Sequence, residues 1–269
     1  HGALCSKGTA LLDTVSIDSG RLLDPQIDGK KVTWEEAIGC IADSWSDTLS
    51  ESGPDSLAFY ASGQMLTEDY YVANKLMKGF IGTGNIDTNS RLCMSSAVVA
   101  QQQAFGADGV ACNYTDLEQT ELLTLVGSNL AWCHPVLYQR IKKAKADNPR
   151  LKVVVVDPRK TDTLEIADLH LEISPDSDLT LFNGLLNFLH ASKATDKKYI
   201  SDHTQDFDST LQLIESNTSP QDVAQKCGIG LDALNMFFHW FASTKTSVTA
   251  YSMGVNQSRT GTRKASAII

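Results

Sequence analysis

Apolar residues recur at helical spacing from Trp34 through Ile38, Ile41 and Trp45 to Leu49, directly after Thr33-Trp-Glu-Glu36, whose threonine-to-glutamate spacing is that of a capping box. The pattern predicts one amphipathic helix, ended by Gly53-Pro54. Ahead of it, residues 21–32 predict a short hairpin turning at Asp28-Gly29. The period then changes: Ser56-Leu-Ala-Phe-Tyr60 reads as a buried strand running into the loop Ala61-Ser-Gly-Gln64. Thr67 is expected to cap a second helix through about Phe80, stopped by the turn Gly82-Thr-Gly-Asn85. Helix, strand, glycine loop, helix is the order of an α/β unit.

The same grammar repeats downstream. Asn89 or Ser90 is placed to cap a helix carrying Leu92, Val98, Val99, Ala104 and Phe105. Three apolar runs follow, each ending in small or polar residues: Glu121–Val126 before Gly127-Ser-Asn129, Leu151–Val156 before Asp157-Pro-Arg-Lys-Thr161, and Leu169–Ile173 before Ser174-Pro-Asp-Ser-Asp178. His134-Pro135 opens a helix from Val136 to Ala146 with Lys142, Lys143 and Lys145 on its surface, and another helix runs from Leu179 to about His190. Residues 196–243 read as helical, with Leu234, Phe237, Phe238 and Phe241 as core and His239 as a surface or packing residue. Ser247–Ser252 is a fourth strand, ending in Met253-Gly-Val-Asn-Gln257, and a helix starts at Ser258. Runs apolar on both faces, alternating with helices, predict an α/β fold with a doubly wound, mostly parallel sheet.

Composition narrows the picture. A chain of 269 residues holds one large or two ordinary domains, and 42% hydrophobic with 20% charged residues is a globular balance. The net charge of −9, without a basic run interleaved with aromatics, excludes a nucleic-acid surface and gives no overall attraction for an anionic substrate. No apolar stretch is long enough to span a membrane. Six cysteines without disulfide-framework spacing fit a reducing compartment. Cys40 and Cys227 lie in helical runs and are expected in the core; Cys112 and Cys133 are expected to be structural.

The candidate chemistry sits at the ends of the strands. The helical pattern puts Cys93 in a first turn, where unpaired amides and the helix dipole favour the thiolate that binds a metal, although an isolated cysteine also serves as a small packing residue. Gln64 follows a strand, in a ligand position or as a turn glutamine. Gly127 lets backbone approach a diphosphate, and Ser128 and Asn129 offer donors beside it. Asp157, leading the loop that also holds Pro158, Arg159 and Thr161, is placed to accept from ribose hydroxyls. A carboxylate accepts both N1–H and N2–H of guanine, so Asp176 or Asp178 is a candidate base reader. Singly, such residues also serve as ordinary caps, and the lack of GxGxxG argues against an NAD-type fold.

Asn89-Ser-Arg-Leu-Cys-Met-Ser-Ser-Ala97 resembles the molybdenum-ligand segment of the bis-molybdopterin-guanine-dinucleotide (bis-MGD) oxidoreductases, and within them of the bacterial nitrate reductases. Ser62–Tyr71 and Gly127–Pro135 are similar to the assimilatory, cytoplasmic branch, and the likeness touches separated points from Gly2 to Gln257. It implies that Cys93 is the molybdenum ligand and Met94 flanks the substrate, with Asn89 in the same cofactor-binding segment. It makes Gln64, Met253 and Gln257 pterin contacts, and gives the loops at 127–129, 157–161 and 176–178 to the guanosine part. His1-Gly-Ala-Leu-Cys-Ser-Lys-Gly8 resembles the end of the family's iron–sulfur motif, which makes Cys5 the fourth ligand of a [4Fe-4S] cluster and Lys7 the lysine between cluster and pterin. Such a cluster takes four thiolates, so the chain by itself is expected to hold none.

The resemblance implies an internal part of a larger enzyme with formate dehydrogenase/DMSO reductase-like domains. Residues 1–12 would be the remnant of the cluster domain, 13–88 the first part of an α/β domain, 89–250 a Rossmann-like MGD-binding domain and 251–269 a return to the first domain. The implied reaction reduces nitrate to nitrite in the cytoplasm, with electrons from a separate protein or domain; the isolated chain is expected to be inactive. A formate dehydrogenase is the alternative within the family, although that branch usually carries histidine where this chain has Met94. A non-catalytic pterin-binding or interaction fragment is the alternative outside it.

Overall fold

The computed structural model describes residues 2–15, 20–216 and 218–269; His1, which opens the iron–sulfur-like segment, lies outside them. The chain divides into two compact units, His1–Ser95 and Ser96–Ile269.

The first unit begins with a one-turn helix α1 (Ser6–Thr9) and a 3-10 turn (Leu11–Val15). The expected hairpin pairs β1 (Gln26–Ile27) with β2 (Lys30–Lys31), and its two turn residues Asp28 (φ 51°) and Gly29 (φ 75°) are both left-handed, as a tight two-residue turn requires. Helix α2 (Trp34–Ser52) starts on the predicted box: the Glu36 amide donates to Thr33 Oγ1 at 3.2 Å, and the Thr33 amide to Glu36 Oε2 at 2.7 Å. Its apolar stripe is nevertheless uncovered from Trp34 to Ile41, while Trp45 and Leu49 are half-buried. No residue of α2 is buried, and Trp34, Ile38 and Ile41 are 69%, 60% and 53% exposed. Cys40, expected in the core, is exposed on the same helix.

Strand β3 (Phe59–Ala61) pairs in parallel with β4 (Ile86–Thr88), placing Ala61 beside Thr88. Thr83 Oγ1 donates to Asp55 Oδ1 at 2.9 Å and Asn85 Nδ2 to the Asp55 carbonyl at 3.1 Å, which fixes the approaches to both strands. Between them, α3 (Thr67–Asn74) passes into a π-helical stretch (Lys75–Ile81) that ends at left-handed Gly82. The N-cap is Leu66, whose amide donates to Asp69 Oδ2 at 3.1 Å; Thr67, expected as the cap, is the first helical residue. A single turn α4 (Asn89–Cys93) and helix α5 (Ser95–Phe105) follow.

In the second unit, α6 (Tyr114–Gln119) is capped by Asn113, whose Oδ1 accepts from the Thr115 amide at 2.8 Å. It precedes a four-stranded, wholly parallel sheet of β5 (Leu122–Val126), β6 (Lys152–Val156), β7 (Leu169–Leu171) and β8 (Ser247–Tyr251), in the spatial order β7-β6-β5-β8. Alternate side chains point to opposite faces. Leu123, Leu125, Val153 and Val155 pack with Tyr138 and Ile141, whereas Leu122, Val126, Val154 and Val156 pack with Leu181, Phe182, Phe237 and Phe238. Burial on both faces explains why the strands read as unbroken apolar runs.

Helices α7 (Leu130–Cys133) and α8 (Pro135–Asp147) follow β5, and α9 (Asp178–Ala191) follows β7. The helical region expected at 196–243 is four helices, α10 (Lys197–His203), α11 (Phe207–Glu215), α12 (Pro220–Cys227) and α13 (Leu231–Ser243). After β8 come α14 (Met253–Asn256) and α15 (Gly261–Ile268). The third strand stops pairing at Leu171, two residues short of the expected end, while Ile173 stays buried. Cys227 is buried as expected; Cys112 and Cys133 are exposed. Strands β5 to β7 progress one way and β8 returns on the other flank of β5, so the order reverses between β5 and β8, the place where an open parallel sheet takes its ligands. Among the described residues, no helix is long and apolar enough to cross a membrane.

Candidate functional site

Parallel pairing of β3 with β4 brings the loops beyond their carboxyl ends together. The Gly63 amide donates to Asn89 Oδ1 at 2.7 Å, and a Cβ on Gly63 would stand 2.6 Å from Ser90 Oγ and 3.3 Å from Ser90 Cβ, so a larger residue there would force the Ser90 side chain to move. Tyr70 Oη donates to the Ser62 carbonyl at 2.5 Å, and the Gln64 amide to Ser62 Oγ at 3.1 Å. Gln64 is exposed in this loop. Arg91 donates twice to Asp87 Oδ2, at 2.6 and 2.9 Å, and that guanidinium, with the Thr88 amide, holds the Asp87 carboxyl below its usual range.

Cys93 is half-buried in this loop pair, but its local setting corrects the sequence reading. The cap of α4 is Thr88, whose Oγ1 accepts from the Ser90 amide at 3.4 Å, instead of Asn89 or Ser90. Asn89 turns its oxygen across to Gly63. Cys93 is the last residue of that turn, Met94 (φ −115°, ψ 7°) breaks the helix, and α5 restarts at Ser95. A first-turn dipole therefore does not act on Cys93 within its own helix. It does act at Cys5, the N-cap of α1, where the Gly8 and Lys7 amides and the Lys7 charge lower the thiol pKa. Lys7 itself is exposed.

In the second unit the loops converge at the switch point. Gly254 donates its amide to the Gly127 carbonyl at 2.9 Å, and a Cβ on Gly127 (φ 54°) would lie 2.9 Å from Gly254 Cα. Sequence reading gave close backbone approach to Gly127 alone; Gly254 is its counterpart, flanked by Met253 and, further on, Gln257, both exposed. Ser128 is buried and Asn129 (φ 34°) is left-handed. The neighbouring loop after β6 is tied to this one: the Ala131 amide donates to Thr163 Oγ1 at 3.1 Å, and Trp132 Nε1 to Asp162 Oδ2 at 2.7 Å. Across these two tied loops, Asn129 Oδ1 and Thr161 Oγ1 are buried without a hydrogen-bond partner. Buried polar atoms are normally satisfied, so the pair marks a place where a polar group is expected. Asp157 is buried, accepts from the Arg159 amide at 2.8 Å, and has its carbonyl 2.9 Å from His170 Nε2; Pro158 and Arg159 are exposed.

Asp176 and Asp178 follow β7, the first exposed and left-handed (φ 72°), the second buried at the start of α9. Both pair with the ammonium of Lys264, at 2.7 and 3.0 Å, and Thr260 Oγ1 donates to Asp176 Oδ1 at 3.1 Å. Hydrogen bonds from Lys264 and Thr260 hold the Asp176 carboxyl below its ordinary range. Burial works against the Lys264 ammonium, yet the two aspartates more than offset it and raise its pKa. Sequence reading missed Lys264, because a lysine in the run Thr262-Arg-Lys264 carries no sign of being 3% exposed. Beside it, Arg259, Thr260, Thr262 and Arg263 line a polar recess of about 360 Å³.

The model of the molybdopterin oxidoreductase family matches residues 21–269. A nitrate reductase of Klebsiella oxytoca is 50% identical over 268 residues, covering 100% of this chain and 30% of that protein. A nitrate reductase of Shewanella frigidimarina is 48% identical over 271 residues, covering 100% of this chain and 29% of that protein. The chain thus spans about 30% of the length of these relatives. Among solved structures, acetylene hydratase from Pelobacter acetylenicus aligns with a TM-score of 0.78 over 98% of this chain and 37% of that one; at 19% identity the likeness speaks for the fold alone. A doubly wound sheet with its polar loops at one end, and a family match running through nearly the whole sequence, lead to one assignment: the chain belongs to the molybdopterin oxidoreductase family.

Proposed function

We propose that this chain is the cofactor-holding part of a nitrate reductase catalytic subunit of the assimilatory, cytoplasmic kind, reducing nitrate to nitrite at a bis-MGD molybdenum centre. The observation that carries the cofactor assignment is the pair of buried, unpartnered oxygens, Asn129 Oδ1 and Thr161 Oγ1, on adjacent loops at the carboxyl end of the sheet. The substrate comes from relatives of 48% and 50% identity that carry the name nitrate reductase.

The residues present fit the group. Gly127 and Gly254 keep side chains out of the switch point, leaving backbone for a diphosphate to approach. Arg259 and Arg263 add positive charge around the recess they line. Asp157 retains Oδ2 as an acceptor for ribose, and Asp176 and Asp178 offer carboxylate oxygens to the N1–H and N2–H donors of guanine. In this reading Asn89 and Gly63 shape the loop that presents Cys93 to molybdenum, Gln64, Met253 and Gln257 contact the pterin, and Met94 flanks nitrate. Cys5, with its lowered thiol pKa, is the cluster ligand contributed by this chain, and Lys7 lies between cluster and pterin. When bound, the molybdenum centre supplies two electrons and accepts the oxygen removed from nitrate. The protein's part is to position nitrate and the cofactor and to tune the metal through its ligand and hydrogen bonds.

The remaining cluster cysteines and pterin contacts belong, in this reading, to the rest of the parent, which receives electrons from a separate protein or domain. Within that parent, 1–12 closes the cluster domain, 13–88 and 251–269 belong to one α/β domain and 89–250 is the MGD-binding domain. The full-length protein is expected to oxidise reduced viologen with nitrate and to leave formate untouched. Formate oxidation without nitrate turnover would transfer the protein to the other branch, and neither activity in cofactor-loaded protein would make it a binding fragment.

A further inference from the structure

Two carboxylates and one ammonium meet where β7 hands over to α9, and the ammonium is the inaccessible member. The Lys264 side chain is 3% exposed, that of Asp178 is 11% and that of Asp176 is 67%. The trio carries one net negative charge, so the carboxylates keep acceptor capacity that Lys264 does not use. Lys264 approaches from behind: it sits on α15, which packs on α9, while Asp176 opens outward in a left-handed conformation held by Thr260. The two unpartnered oxygens of Asn129 and Thr161 belong to loops at the same end of the sheet, an independent sign that a polar ligand is received there.

We infer that Lys264 is the positioning residue of the nucleobase site: its buried ammonium fixes Asp178 and Asp176 in the orientation from which they take the N1–H and N2–H of a guanine. The inference rests on the guanine-dinucleotide reading above. A carboxylate held by a buried cation is an acceptor only. It therefore favours a base edge that presents two donors and rejects adenine, which presents a lone pair at N1. Lys264 also joins the base-reading loop to α15, just downstream of the segment carrying Met253 and Gln257, so the placement of the nucleotide end is linked to that of the pterin end. Other groups bearing on the carboxylates are Arg259, which acts on Asp176, and the Cys227 thiol on α12, which faces Asp178 and is kept neutral by burial.

The test uses the full-length, cofactor-loaded protein, incubated at about pH 6 and about pH 8 and then desalted, with guanosine monophosphate and molybdenum quantified after acid release. Wild type is expected to retain its guanosine at both pH values, and Lys264→Arg to behave alike because the cation is kept. Lys264→Met leaves Asp178 and Asp176 without the cation that orients them. This variant is expected to lose one of the two guanosines about ten-fold faster than wild type at both pH values. If it does not accumulate, the double variant Asp178→Asn with Lys264→Met, which buries no lone charge, is expected to lose that guanosine at both pH values. Retention equal to wild type in Lys264→Met would overturn the role of Lys264 and leave the guanine reading standing, and retention in the double variant would overturn the role of Lys264 and remove Asp178 as a base reader as well. Molybdenum without guanosine in wild type would overturn that reading and this inference together.

Discussion

Gly127 and Gly254 show how a single Cβ decides whether the switch point exists. Alanine at Gly127 would keep an unfavourable φ of 54° and press against Gly254 Cα at 2.9 Å. Gly127→Ala is expected to destabilise the chain by about 2–4 kcal/mol, from left-handed strain plus overpacking, read as a lowered urea midpoint. An unchanged midpoint would mean that the two loops do not touch. Tyr138 makes a second case. It is 4% exposed, and its hydroxyl lies 3.1 Å from Glu165 Oε2 and 3.2 Å from the Asp162 carbonyl. Burial, then the bond to Glu165, pushes the phenol up to about 12 from 10.0. The folded chain holds this proton more tightly than the unfolded one, so the contribution is complete below pH 10.0 and is lost as pH rises toward about 12. Tyr138→Phe should flatten that alkaline decline in urea midpoints; an identical slope would remove Tyr138 from it. Residue types were readable from sequence, but their partners were not. Asn89 looked like a cap, and whether its oxygen bonds its own helix or Gly63 depends on a loop 26 residues away.

Helices and strands followed from periodicity wherever both sides of the pattern have a physical cause. The apolar runs of β5 and β6 read correctly because both faces of the sheet are covered, and the box at Thr33 predicted the start of α2 because its two hydrogen bonds are local. The stripe on α2 shows where periodicity stops: it identifies an apolar side and is silent on what covers it. Ile38 is 60% exposed and Phe238 fully buried. In this 269-residue chain, Ile38→Ser is expected to change stability by less than about 0.5 kcal/mol. Phe238→Ala should cost about 3–5 kcal/mol. Urea melts compare the two, and a large loss at Ile38 would show that its helix is covered after all. The π-helical continuation of α3 was invisible for a related reason, since apolar spacing does not distinguish hydrogen-bonding registers over one or two turns.

Taken as one polypeptide, the chain places its proposed chemistry at strand ends in both units, Cys93 and Gln64 beyond β4 and β3, and the nucleotide loops beyond β5, β6 and β7. Strand-to-loop order along the sequence was enough to foresee that arrangement, because parallel sheets gather their carboxyl ends at one edge. Lys264 could not be foreseen, since its partners are more than 80 residues distant and its burial is set by packing of α15 on α9. The family match covers nearly all of the chain, while the chain spans about 30% of its relatives, so the reaction is proposed for a protein of the relatives' full length. The decisive measurement is X-ray absorption at the molybdenum edge of the full-length protein, wild type against Cys93→Ala, with nitrate turnover recorded on the same samples. Loss of one sulfur from the metal's coordination sphere together with loss of nitrate reduction, the iron–sulfur signal being retained, is the result expected; an unchanged sulfur shell with normal turnover would contradict the assignment of Cys93.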